Sequence, residues 1–191
     1  MDPALAPLVA RLRDRDPSAF DEVYARYHER VFRFLLRLSG KRQVAEDLFQ
    51  ETWLAVARDA TSLADDSDLA AWIFTLARNR YRSHRRWAML DLTRVFSFGA
   101  EQDVESPSPE GEVAARAEAS AAREAFASLA PAAKEVLLLA VGEGLEAPRV
   151  AEVLGISPEA ARQRLSRARA ELATAIEKGN NRAVRKGSLR P

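Results

Sequence analysis

An all-α chain of two small helical modules is the fold class the sequence predicts, and three observations predict it. Apolar residues recur at intervals of three and four along most of the chain, and no stretch alternates apolar with polar as a half-buried strand does. An acidic stretch rich in Pro, Ser and Gly, within 96–112, interrupts that pattern and cannot sustain a helix. Beyond it, Leu145 to Leu172 reads as two short helices meeting at a tight turn, a helix-turn-helix.

Taken in order, Leu5 to Arg13 forms a short first helix. Asp16 followed by Pro17 opens the second: the carboxylate caps, and the proline fills a first-turn position whose N–H has no partner anyway. Phe20, Val23, Tyr24, Tyr27, Val31, Phe34, Leu35 and Leu38 keep helical spacing until Gly40, so this is a core helix, and its aromatics, Phe32 included, are packing residues rather than a base-stacking surface. Val44 to Arg58 follows with a broad apolar arc of Val44, Leu48, Phe49, Thr52, Ala55 and Val56. Its other face gathers Glu46, Asp47, Gln50 and Glu51. Asp47 and Glu51 lie one turn apart, a like-charge pair that costs a few tenths of a kcal/mol, about as much as an opposite pair contributes. The face reads as one that awaits a basic partner. After a polar turn, 61–68, a fourth helix carries Leu69, Trp72, Ile73 and Leu76 inward and runs through Trp87.

That fourth helix changes character midway, since 78–86 reads RNRYRSHRR without an acid. Arg78 with Arg82, and Arg82 with Arg86, repeat like charge at i,i+4, which weakens a helix unless anions neutralise it. Phosphates are suitable anions, and Asn79, Tyr81, His84 and Trp87 can bond to or stack on unpaired bases.

In the helix-turn-helix, Val150, Ala151, Val153 and Leu154 face inward and Gly155 supplies the left-handed C-cap. Ser157 caps the next helix, Pro158 fills its first turn and Glu159 suits its positive dipole end. Ala161, Leu165, Ala168 and Leu172 form the buried stripe. Arg162, Gln163, Arg164, Ser166, Arg167 and Arg169 point elsewhere, a cationic surface too unbalanced for an ordinary solvated face. Arg and Gln suit the major groove because each makes a bidentate contact, to guanine and adenine respectively.

Composition sets outer limits. The 191 residues are 47% hydrophobic and 30% charged with a net charge of +1, ordinary values that conceal the segregation of charge into blocks. There is no cysteine, and His28 and His84 alone make a zinc site implausible. No signal-peptide core and no run near the roughly 20 apolar residues of a membrane span is present, so a reducing, cytoplasmic setting without membrane insertion is expected.

The strings AFDEVYARYHERVFRFLLRL, AEDLFQETWLAVAR and AWIFTLARNRYRSHRR, then a linker and LAPAAKEVLLLAVGEG leading into the helix-turn-helix, resemble a bacterial sigma factor of the extracytoplasmic-function group over about residues 16–175. The resemblance implies a transcription initiation factor, not an enzyme, with no cofactor. Its partners would be RNA polymerase core, promoter DNA and an anti-sigma factor. It implies a region 2 domain at 1–95, a flexible acidic linker at 96–112, a region 4 domain at 113–180 and a basic tail at 181–191. Polymerase docking falls on Asp47, Gln50, Glu51 and Leu54. Contacts to the minus-ten element fall on Arg78, Asn79, Tyr81, Arg82, Arg85 and Arg86, with the loop before Trp72 placed to capture a flipped base. Contacts to the minus-thirty-five element fall on Arg162, Gln163, Arg164, Ser166 and Arg167. Two positions depart from the family pattern: Arg149 stands where an acid is usual, which offers an added phosphate contact, and Ala161 stands where a β-branched residue is usual.

Two other classes fit less well. A ligand-sensing repressor needs a pocket that residues 1–95 do not supply from sequence, and it leaves the arginine block unexplained. A nuclease using Glu46, Asp47 and Glu51 as metal ligands would want carboxylates converging from different elements with histidine nearby.

Overall fold

The computed structural model describes residues 5–90 and 113–187, the side chains of 89–90, 113–119 and 180–187 excepted. Among these residues the helices run α1 (Ala6–Arg13), α2 (Pro17–Ser39), α3 (Arg42–Asp59), α4 (Leu69–Leu90), α5 (Val113–Ser128), α6 (Pro131–Leu137), α7 (Ala147–Leu154) and α8 (Pro158–Gly187), with no strand. The linker expected at 96–112 lies outside the described residues. The tail expected from 181 is taken in by α8 as far as Gly187; Arg182, Ala183, Arg185 and Lys186 are good helix formers and extend the element without needing an apolar face.

The helix boundaries follow from their caps. Asp16 accepts from the Ser18 amide at 2.9 Å and from its hydroxyl at 2.8 Å, and Pro17 begins α2. Gly40 ends α2 at φ 69°, a left-handed conformation that costs glycine nothing, with its amide on the Leu36 carbonyl. The inward face of α2 then buries Val23, Tyr27, Val31, Phe34, Leu35 and Leu38 against α3 and α4. The aromatics pack as expected. Phe20 and Tyr24 meet Trp53, Phe32 meets Phe49 edge-on, and Phe34 meets Phe74 at 5.2 Å between centroids.

Helix α4 is more deeply embedded than its expected inner face of Leu69, Trp72, Ile73 and Leu76 suggests. Ala71, Phe74, Ala77, Arg78 and Tyr81 are buried as well, because α4 packs on α2 and α3 with one side and on α7 with another. The second module is built from α5–α8, its core formed by Val136, Leu139, Val150, Val153, Leu154, Ala161 and Ala168. Gly155 at φ 64° turns the chain out of α7, the Ile156 amide reaches back to the Ala151 carbonyl at 3.0 Å, and Ser157 Oγ accepts from the Ala160 amide at 3.1 Å. The helix-turn-helix therefore has the caps its sequence implies.

Between α6 and α7 lies a feature with no sequence signal, a π-helical turn at Leu138–Gly142. The Glu143 amide bonds to the Leu138 carbonyl at 2.9 Å, five residues back, so the turn is one residue wider than an α-helical one. The widened turn carries Glu143 onto the surface of α2.

The α2 cap makes the first module sensitive to acid. The Asp16 carboxyl is held down to about 2 from its ordinary 3.8, chiefly by the Ser18 hydroxyl and then by the Arg11 guanidinium. A depressed acid stabilises the fold fully above its unfolded value and loses that contribution as pH falls towards the folded one. Asp16→Ala is expected to melt below the parent at neutral pH, and the gap should close as pH drops from 3.8 towards 2; thermal melts followed by circular dichroism check it.

Candidate nucleic-acid interface and docking face

The face expected to dock a partner is intact on α3. Asp47, Gln50, Glu51 and Leu54 are all exposed, and Leu54 keeps 71% of its surface although it is a large apolar residue. Glu46 pairs with Arg42 at 2.8 Å, whereas Asp47 and Glu51 make no ion pair with any described residue. The aromatic cluster of Phe20, Tyr24, Phe49 and Trp53 lies behind this face and makes α3 a rigid mount for it. Two unpaired carboxylates beside a bare leucine are equipped to meet a surface that is basic with an apolar notch.

The row on α8 is also presented to solvent. Arg162, Gln163, Arg164, Ser166 and Arg167 are exposed, while Ala161 and Ala168 are buried beneath them. Arg162 is held by Glu159 at 2.7 Å, and the Gln163 amide reaches the same carboxylate at 3.5 Å, so one carboxylate orients both side chains at the start of α8. The small Ala161 is buried, at 2% exposure, on the inner side of α8.

The six α4 positions divide. Asn79, Arg82 and Arg86 are exposed and Arg85 is half-buried with its guanidinium 5.9 Å from the Tyr81 ring. Arg78 and Tyr81 depart from the expected exposed face: both are buried where the second module packs on α4. Arg78 Nε donates to Glu135 Oε2 at 2.7 Å and its Nη1 to the Val153 carbonyl at 3.0 Å. Burial raises the Tyr81 phenol above its ordinary range, and Arg85 opposes the shift. Tyr81 lies seven residues after Phe74 on the buried side of α4, and a carboxylate of α6 covers Arg78; the run of charge around them carries no sign of either.

Two further ion pairs join the modules. Arg149 of α7 reaches Asp68, the residue before α4, at 3.1 Å while also holding Glu152, so the unusual arginine is engaged across the interface instead of standing free. Asp68 uses its other oxygen to cap the Ala71 amide at 3.0 Å, which ties the loop before Trp72 to this contact. Arg30 of α2 holds Glu143 through Nε at 2.9 Å and the Glu143 carbonyl through Nη2 at 3.1 Å. Sequence reasoning missed Glu135 and Glu143 because each lies in an apolar run with no partner nearby in the chain. Among the described residues no group of three His, Asp or Glu side chains is arranged to hold a metal, and no helix is long and apolar enough to cross a membrane.

A helical bundle with an exposed acidic face, followed by a helix-turn-helix with an exposed arginine row, is the architecture of a two-module DNA-binding factor. Residues 23–110 match the family Sigma-70 region 2, and residues 119–172 match Sigma-70 region 4. The chain belongs to the sigma-70 family of RNA polymerase sigma factors, in its extracytoplasmic-function group: it is a transcription initiation factor that acts with polymerase core at promoter DNA. It is 28% identical over 180 residues to the sigma factor CnrH of Cupriavidus metallidurans, covering 89% of this chain and 93% of that one. With the sigma factor CarQ of Myxococcus xanthus it shares 30% identity over 160 residues, 82% of this chain and 88% of that one. The fold matches CnrH solved with the cytosolic domain of CnrY at a TM-score of 0.68 and 22% identity, over 91% of this chain and 97% of that one. It also matches RpoE solved with the anti-sigma factor NepR from Bartonella quintana, at 0.71 and 24%, over 83% and 96%.

Removing one partner of a buried ion pair costs about 3–5 kcal/mol, because the other charge is left unpaired. Glu135→Ala is therefore expected to part the modules, read as a larger radius of gyration in solution scattering with helix content unchanged. An unchanged radius counts against the pair as the element that holds them together.

Proposed function

We propose that Asp47, Gln50, Glu51 and Leu54 dock on RNA polymerase core, that α4 opens and reads the minus-ten element through Arg78, Asn79, Tyr81, Arg82, Arg85 and Arg86, and that α8 reads the minus-thirty-five element through Arg162, Gln163, Arg164, Ser166 and Arg167. Residues 1–95 and 113–180 are the two working domains, joined by 96–112 and followed by a basic tail at 181–191. The factor acts in the cytoplasm and has no catalytic chemistry of its own. The observation that carries the docking assignment is a leucine left 71% exposed beside two carboxylates that have no ion-pair partner among the described residues, on a helix otherwise well packed.

Extracting a base from a duplex costs a few kcal/mol. A protein of this size meets that cost with stacking and phosphate contacts along the freed strand, and with the polymerase interface that holds the DNA in place. With Arg78 and Tyr81 buried by the second module, the free chain is a poor promoter binder, and recruitment by polymerase must part the modules before α4 can work. An anti-sigma factor restrains this chain as well; that reading draws on RpoE, solved with the anti-sigma factor NepR, and on CnrH, solved with the cytosolic domain of CnrY.

Replacing Asp47 and Glu51 together by Lys should abolish co-purification with polymerase core while leaving the helical spectrum unchanged, since both side chains are exposed. Retained binding would refute the docking assignment. Arg162→Ala or Gln163→Ala is expected to weaken binding to the upstream element by about 1–3 kcal/mol for each base left unread and to relax preference at that base pair. A loss equal on all sequences, measured by holoenzyme footprinting on a promoter series, would reduce these side chains to phosphate contacts.

A further inference from the structure

Arg26, Arg30, Arg33 and Arg37 follow one another on α2 at intervals of four, three and four, so they form one stripe about 16 Å long at the 1.5 Å rise of a helix. Arg26, Arg33 and Arg37 are exposed, and none of the three makes an ion pair or hydrogen bond with a described residue. Glu22 and Glu29 stand four residues before Arg26 and Arg33, yet Glu22 is engaged by Arg11 at 3.5 Å and Glu29 forms no ion pair with a described residue, which leaves Arg30 and Arg37 without an acid at that spacing on α2. Like charges stacked a turn apart call for a repeated anion.

What the stripe meets in this arrangement is a single carboxylate from the other module. Glu143, its side chain only 7% exposed, takes the Arg30 Nε, and Arg33 and Arg37 act on the same group. The Arg37 guanidinium packs beside Gly142 in the π-helical turn. Burial pushes the Glu143 carboxyl above its ordinary range against the pull of Arg30, Arg33 and Arg37, so the group sits where an anion is wanted but is itself incompletely solvated. Arg30 also lies 5.4 Å from the Tyr27 ring and 5.7 Å from the Phe74 ring of α4, so the stripe borders the helix that presents Asn79, Arg82 and Arg86. The stripe is all arginine, the side chain whose planar fork matches phosphate oxygens.

We propose that Arg30, Arg33 and Arg37 form a phosphate track that carries the separated promoter strand away from α4, and that Glu143 occupies one phosphate position of this track while the modules are closed. This rests on the reading of α4 as the strand-binding helix. Parting the modules then both frees Arg78 and vacates the track, so polymerase recruitment and strand capture become one step.

The test uses reconstituted holoenzyme on a premelted duplex of mixed sequence, with affinity followed across a salt series. For Arg33→Ala with Arg37→Ala, the slope of log affinity against log salt should fall by about 1.4, roughly 0.7 for each single-strand phosphate that is no longer neutralised, equally on every sequence. Arg33→Lys with Arg37→Lys should retain the slope. Arg82→Ala with Arg86→Ala is the parallel arm on α4. If only the α4 pair lowers the slope, the track is wrong and the α4 reading stands; if neither pair does, both fail; and a loss confined to certain sequences also overturns the track. For the free chain with a single-stranded oligonucleotide, Glu143→Gln should bind severalfold more tightly than the parent. Unchanged affinity there would overturn the placeholder role.

Discussion

Arg78 and Glu135 meet at 2.7 Å with about 8% of either side chain exposed, and the relation between the two modules depends on that pair. Taking two ions out of water costs several kcal/mol each, and their attraction repays this only when hydrogen bonds complete the shell. Here the Val153 carbonyl supplies one more acceptor for Arg78. A pair so balanced adds little net stability but sets register, since sliding α6 or α7 along α4 by one turn would leave a buried guanidinium facing apolar surface. Arg149 with Asp68 and Arg30 with Glu143 repeat the arrangement at two further points of the same interface.

All three pairs join a cation of one module to an acid of the other, yet their orientation differs. At Arg78 and Arg30 the first module supplies the arginine and the second the carboxylate; at Arg149 the roles reverse, and the acid is Asp68 in the loop before Trp72. Two arginines of the first module, Arg30 and Arg78, are thus covered by acids from the second, while Arg82, Arg86 and the arginine row on α8 remain open. A partner that offers better anions to Arg30 and Arg78 competes directly with the closed form, and DNA phosphate is such a partner. Because the pairs contribute modestly, that competition is winnable at ordinary interaction energies.

How much of this was legible in the sequence varies with the range of the interaction concerned. Caps are local, so Asp16 with Pro17, Gly40, Gly155, Ser157 and Pro158 could be read directly and the structure has them in those roles. Helical periodicity showed which faces are apolar, and the packing of the α2 aromatics and the exposure of Asp47 and Glu51 agree with it; the exposed Leu54 has no signal in that pattern and came from the family resemblance alone. The pattern does not report which polar face meets another. Arg78 finds its counter-charge 57 residues away and its carbonyl 75 residues away, distances over which periodicity is silent. The π-helical turn that delivers Glu143 is equally invisible, since Leu138–Gly142 reads as an ordinary helix end.

Leu54 stays uncovered for a reason that also lies in long-range packing. On α3 the apolar residues beneath, Trp53, Val56 and Ala55, have found partners within the first module, and the second module packs on α4 and α2 instead. The two kinds of surface are therefore treated differently by the fold. Two arginines of the first module, Arg30 and Arg78, are held by carboxylates of the second, whereas the acidic face on α3 is left free. The face on α3 therefore needs no rearrangement of the modules to meet a partner, whereas Arg30 and Arg78 can reach one only when the modules part.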